Sequence, residues 1–159
     1  MSMSVRLFFL SVFLSATLSS GLLAEVWKKD GLLITDMLLV QPMPGQKMTA
    51  GYMRIVNTGP ADRQLVAVRA DFAKKAEIHT VAMQDGVMKM RPLKDGLAVS
   101  AGAEILLAPG GFHLMLIGLN RQLETGGQVR IELEFADGMK AMPTFQIVSR
   151  AELMKQGAR

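Results

Sequence analysis

In Val129-Arg130-Ile131-Glu132-Leu133-Glu134-Phe135 every odd position is apolar and every even position is charged. Successive side chains of a strand point to opposite faces, so this run reads as a β-strand with one buried face. It belongs to a series of similar short runs along the chain. They are Leu32–Leu39, Ala50–Asn57, Arg63–Arg69, Ala76–Met83, Val87–Leu93, Glu104–Leu107, Phe112–Gly118, Gln128–Phe135 and Lys140–Val148. Turn formers separate them: Pro42-Met43-Pro44-Gly45, Asn57-Thr58-Gly59-Pro60, Pro109-Gly110-Gly111, Thr125-Gly126-Gly127 and Asp137-Gly138. Many short strands between Gly, Pro and Asp turns indicate an all-β antiparallel sandwich or barrel. The segment from Ser149 to Arg159 reads as a polar C-terminal tail, at most a frayed helix.

One turn fixes a register. Asp85-Gly86 is a type I′ hairpin signal, so the spacing sets Gln84 opposite Val87, Met83 opposite Met88, Ala82 opposite Lys89 and Val81 opposite Met90. His79 shares a face with Val81, which makes His79 and Met90 diagonal neighbours. A slip of one residue would put them on opposite faces. His113 and Met115 are also two apart on a strand and point the same way, just after the Pro-Gly-Gly turn. His79 and His113 are the only histidines in the chain. Two imidazoles and two thioethers form a soft, neutral donor set that suits Cu(I). The competing reading is packing. Methionine is a common core filler, and the face carrying His79, Val81, Met83 and Met88 is the apolar one, so Met83 and Met88 are expected in the core. The residues alone leave both readings of His79, Met90, His113 and Met115 open. Asp85 reads as a turn residue and not as a partner of His79.

Composition narrows the classes. The chain has 159 residues and no cysteine. That excludes a thiolate blue-copper site, a thiol nucleophile, an iron–sulfur cluster and disulfides. No HExxH, GxSxG, Walker or dinucleotide fingerprint is present. Residues 1–24 read as a secretory signal peptide: Arg6, then the apolar run Leu7–Leu14, then small residues, with cleavage near 21–24. No cysteine follows that run to carry a lipid. Contact with a membrane is therefore expected only through the signal peptide. The remainder, about 135 residues, suffices for one domain, 25–148, followed by the tail 149–159. Without Arg6 it keeps 17 of the 18 basic residues against 14 acidic ones, a net charge near +3. Those basic residues are scattered without interleaved aromatics, so no nucleic-acid site is expected.

These residues resemble the PCu(A)C family of periplasmic copper chaperones associated with cytochrome oxidase assembly. The resemblance rests on Asp85-Gly86-Val87-Met88-Lys89-Met90-Arg91-Pro92, on Pro109-Gly110-Gly111-Phe112-His113-Leu114-Met115 and on Ala50-Gly51-Tyr52-Met53-Arg54-Ile55-Val56-Asn57-Thr58-Gly59. Ten residues lie between His79 and Met90, as in the family. Twenty-two lie between Met90 and His113, one more than the family's usual spacing, and the Lys94–Pro109 connection can hold the extra one. The similarity runs from about Leu33 to Val148. It implies a cupredoxin-like antiparallel Greek-key β-sandwich, with His79, Met90, His113 and Met115 as ligands of Cu(I). It also implies a binding and delivery protein of the periplasm, not an enzyme. Copper would pass to an oxidase copper-centre subunit, alongside a Sco-type thiol protein. Two alternatives remain. One is copper sequestration for tolerance, without an oxidase client. The other is a structural β-sandwich adhesion or assembly subunit whose methionines are all core.

Overall fold

A computed structural model describes residues 25–156. The signal peptide expected over residues 1–24 and the last three residues of the tail lie outside the described residues. The chain forms β1 (Trp27–Lys29), β2 (Leu32–Val40), β3 (Met48–Asn57), β4 (Arg63–Arg69), β5 (Ala73–Gln84), β6 (Val87–Pro92), β7 (Leu97–Val99), β8 (Glu104–Leu107), β9 (His113–Leu119), β10 (Gln128–Arg130), β11 (Glu132–Phe135), β12 (Lys140–Ala141), β13 (Thr144–Val148) and α1 (Arg150–Gln156). Two sheets face each other. The larger runs β10-β13-β2-β3-β9-β5-β6, with β1 added on β2 and β8 on β3; the smaller runs β12-β11-β4-β7. Between them lie Phe72, Phe135, Phe145, Leu32, Ile34, Ile55, Leu65, Leu114 and Leu116, each at most 1% exposed. The result is the β-sandwich expected, with two differences of pairing.

First, the alternating run Val129–Phe135 is two strands. β10 pairs β13 in the large sheet, and β11 pairs β4 and β12 in the small one. The chain changes sheets at Ile131, whose N–H donates to the Pro143 carbonyl at 3.3 Å. The opposing run crosses with it: Lys140–Val148 divides at Met142-Pro143, where the proline lacks a ladder donor. Alternation survives the crossing. Val129, Ile131, Leu133 and Phe135 are all buried. A strand that bends over a sandwich corner keeps its inner face inward, so the pattern is the same on either sheet.

Second, β13 pairs β2 in parallel, with Gln146 opposite Leu38 and Val148 opposite Val40. That is the departure from an antiparallel plan. The tail is also better anchored than a frayed polar segment. Ser149 and Glu152 cap α1 reciprocally: the Ser149 N–H donates to Glu152 Oε2 at 2.7 Å and the Glu152 N–H to Ser149 Oγ at 3.2 Å. Leu153 then packs on Val40 and Val148. Among the described residues no helix is long and apolar enough to cross a membrane.

The β5–β6 hairpin follows the predicted register at every pair from Gln84–Val87 to Val81–Met90. Asp85 and Gly86 have φ of 52° and 76°, as a type I′ turn requires. Its environment differs from expectation. Met83, Met88 and Met90 are 66%, 56% and 64% exposed, so they are not core. Beyond Ile78 the hairpin projects past the sandwich. Its apolar face is the outer face of the large sheet, and among the described residues no second sheet covers it.

Candidate metal centre

The two histidines sit side by side. β5 and β9 are adjacent and antiparallel, and their register sets His79 directly opposite His113. The ring centroids are 5.7 Å apart and tilted by 59°. The two elements the sequence places separately thus meet in one sheet. Met115, two residues after His113, lies opposite Glu77 on β5 and Ala50 on β3. Met90 lies opposite Val81, two pairs along the hairpin from His79–Pro92 and so on the same face as His79. Because strand side chains alternate, all four groups occupy the outer face of the large sheet. Met90, His113 and Met115 line one cleft of about 360 Å3, walled further by Tyr52, Met48 and Met154.

Each imidazole has one nitrogen engaged and one free. His113 Nδ1 lies 3.1 Å from the Gly111 carbonyl, to which its N–H donates. The turn before it supplies that carbonyl: Gly110 has φ of 84°, and the Gly111 N–H closes on the Ala108 carbonyl at 3.0 Å. His113 Nε2 then carries the free lone pair. For His79 the assignment is reversed. Nε2 lies 3.1 Å from Glu77 Oε2, and a carboxylate only accepts, so the proton is on Nε2. Its Nδ1 is buried and has no hydrogen-bond partner among the described residues. A buried, unpaired acceptor costs roughly 1–3 kcal/mol, so such atoms call for an explanation. A ligating imidazole characteristically holds its other N–H on a carboxylate or backbone carbonyl, which fixes the tautomer and aims the free nitrogen. Glu77 and the Gly111 carbonyl supply those two acceptors.

Sequence reasoning missed Glu77, although it stands two residues before His79 on the same face. The acid that touches His79 is this one and not Asp85. The Glu77 carboxyl is held below the usual carboxylate range, first by its hydrogen bond from Lys75 and then by that from His79. Lys75 Nζ sits 2.7 Å from Glu77 Oε1. Glu77 is therefore ionised, as an orienting acceptor should be. Tyr52 was missed too. Its ring is 6.5 Å from that of His113, and partial burial raises its hydroxyl pKa against the lowering effect of Arg150. The signal was the even spacing of Met48, Ala50 and Tyr52 on β3.

Comparison with known proteins bears on this outer face. The family model described as "LpqE-like: Putative lipoprotein LpqE-like" matches residues 32–147. "Putative lipoprotein Lxx21020" of Leifsonia xyli subsp. xyli is 35% identical over 94 residues, covering 59% of this chain and 57% of that protein. The chain spans under three fifths of the length of the curated relatives it matches. The family description and the Leifsonia protein's name speak of a putative lipoprotein; the present sequence contains no cysteine. Among solved structures, the apo PCuAC domain from PmoF1 superposes with a TM-score of 0.67 at 24% identity, covering 79% of this chain and 99% of that one. The Cu(I) form of DR1885 from Deinococcus radiodurans, solved in solution, gives 0.57 at 27% identity, covering 72% and 76%. The resemblance read from the sequence and the cupredoxin-like sandwich are both found again in these neighbours.

Proposed function

The chain belongs to the LpqE-like family, and on that premise we propose that it is a periplasmic metallochaperone that binds Cu(I) and delivers it for cytochrome c oxidase assembly. The domain over residues 25–148 carries the metal on His79, Met90, His113 and Met115, and the leader over residues 1–24 exports it. One observation carries the reading. His79 Nδ1 is a buried acceptor without a partner among the described residues, beside His113 on the sheet face that also bears Met90 and Met115. A soft cation would satisfy that acceptor, held by two imidazoles and two thioethers, all neutral. The relative solved with Cu(I) supports the choice of metal.

The arrangement suits carriage. Thioethers do not titrate and do not form disulfides, so the cargo can be held in an oxidising compartment. A neutral donor set binds Cu(I) less tightly than anionic thiolates, so copper should pass down a gradient to a Sco-type thiol protein or an oxidase copper-centre subunit. X-ray absorption of the Cu(I)-loaded protein tests the site: nitrogen and sulfur together in the first shell are expected, and oxygen alone overturns it. Mixing loaded protein with a reduced Sco-type protein or a soluble oxidase copper domain tests delivery. Retained copper, with normal oxidase activity in a deletion strain at low copper, overturns delivery in favour of sequestration.

A further inference from the structure

Among the described residues the β5–β6 hairpin ends the large sheet and no strand pairs β6 on its far side, so β6 is an open edge. All six of its residues are exposed. Gln84 and Val87 flank the two-residue turn and form a hydrogen-bonded pair, and such pairs alternate along an antiparallel ladder. Lys89 and Arg91 therefore bond to Ala82 and Thr80. The Leu93 N–H, next in that series, donates to the Ile78 carbonyl at 2.8 Å. The intervening residues Met88 and Met90 turn their N–H and C=O outward, away from β5. Pro92 is next on that side and has no N–H, which ends the edge. The free edge is thus a short stretch centred on Met90. Its two side-chain rows differ. Met88 and Met90 share the outer face with His79, while Lys89 and Arg91 occupy the opposite face. Among the described residues no carboxylate pairs with either cation, and Arg91 hydrogen-bonds only the Gln84 amide.

We propose that β6 is the docking edge for the protein that receives the metal, which adds an extended segment there carrying acidic residues on either side of a soft, sulfur-bearing residue. This rests on the copper-delivery reading above. A strand paired on the open edge sets one residue opposite Met90 with Cα atoms about 5.5 Å apart and its side chain on the same face. That residue projects over the face carrying His79 and His113. Its two neighbours point to the other face, opposite Lys89 and Arg91, where acidic side chains match them. A second copy of this chain fits poorly, because two-fold pairing of β6 centred on Met90 sets Lys89 of one copy opposite Arg91 of the other.

The test is an amide-shift titration of isotope-labelled, metal-free protein with a synthetic peptide of roughly eight residues, alternating Glu with Val and bearing Met at a central apolar position. Shifts centred on the amides of Met88 and Met90 are expected, and a peptide with Lys for Glu should give none. Lys89→Glu with Arg91→Glu should weaken binding roughly tenfold or more. Met88→Pro removes an edge donor that the β5–β6 ladder does not use. It should abolish docking while the Ala82–Lys89 cross-strand contact and the Cu(I) affinity persist. Absence of shifts on β6, shifts that survive both variants, or dimerisation through β6 overturns the proposal. Cu(I) affinity is measured separately. If the wild type docks the peptide but binds no Cu(I), the function reading fails while the edge stands.

Discussion

His79 and His113 are direct cross-strand partners, yet they present different nitrogens. Glu77 holds Nε2 of His79, and the Gly111 carbonyl holds Nδ1 of His113. The free atoms, Nδ1 of one ring and Nε2 of the other, come from rings 5.7 Å apart. A carboxylate and a backbone carbonyl thus fix two tautomers that sequence spacing alone could not specify.

Removal of a thioether should separate binding from folding. Met90 is 64% exposed, so Met90→Leu should leave stability within about 0.5 kcal/mol of wild type. Cu(I) affinity, measured by competition with a chelator, should fall by roughly tenfold or more in Met90→Leu and in Met115→Leu. Unchanged affinity in both would return the methionines to a packing role.

Glu77 should act through His79. Glu77→Ala frees the imidazole to rotate and exchange tautomers, and loss of such a partner costs about 10–100-fold in metal affinity. Glu77→Gln retains an acceptor and should fall between that variant and wild type. The thermal midpoint of the apo protein reports any merely structural effect. A midpoint loss without an affinity loss would refute the orienting role.

Acid should weaken the metal site and the sandwich by separate routes. A proton competes with the metal for a ligating nitrogen, so Cu(I) affinity should decline as the solution is acidified. The apo fold responds through its carboxylates. Hydrogen bonds from Lys140 and Arg69 hold the Glu132 carboxyl below its usual range, and Arg69 does the same for Glu134. A depressed folded-state pKa gives stability that is present above the unfolded value and lost as pH falls through the folded one. The apo thermal midpoint should therefore drop below about pH 4.5, and less steeply in Arg69→Ala. An equal slope in both proteins would dismiss this cluster as the cause.

The apo protein should be fully folded, because the core is continuous between the sheets without any metal. A cooperative transition in the presence of a Cu(I) chelator checks this; a disordered apo chain contradicts it. Leu153→Ala should detach α1 at a cost of about 2 kcal/mol, the low end for a small satellite cluster. Faster proteolysis after Ser149, with unchanged exchange protection in β3 and β9, is the expected signature.

The hairpin register was legible because Asp85-Gly86 admits one turn type and the turn counts the pairs. Whether its apolar row is covered was not legible. Alternation tells which side chains share a face, and Met83, Met88 and Met90 do, but only the opposing layer decides burial. The sheet change at Ile131 was hidden for a related reason, since a corner-turning strand keeps its inward parity. Long-range pairings, β13 beside β2 and β5 beside β9, have no local signal. By contrast, Ser149-Arg150-Ala151-Glu152 carries a readable capping box and Asp30-Gly31 a readable hairpin turn with φ of 46° and 76°. Both are short and lie outside the alternating pattern that marks the longer strands.

The crossing at Ile131 and Pro143 has a mechanical consequence. Two hydrogen-bonded runs pass together from one layer to the other, and the isoleucine between them is fully buried. The layers cannot slide past one another without dragging that side chain out of the interior. The corner works as a clamp on shear, at the far end of the large sheet from the β5–β6 arm. The strands that seat His113 lie between that clamp and the β5–β6 edge, so their register is held from the side the hairpin does not reach.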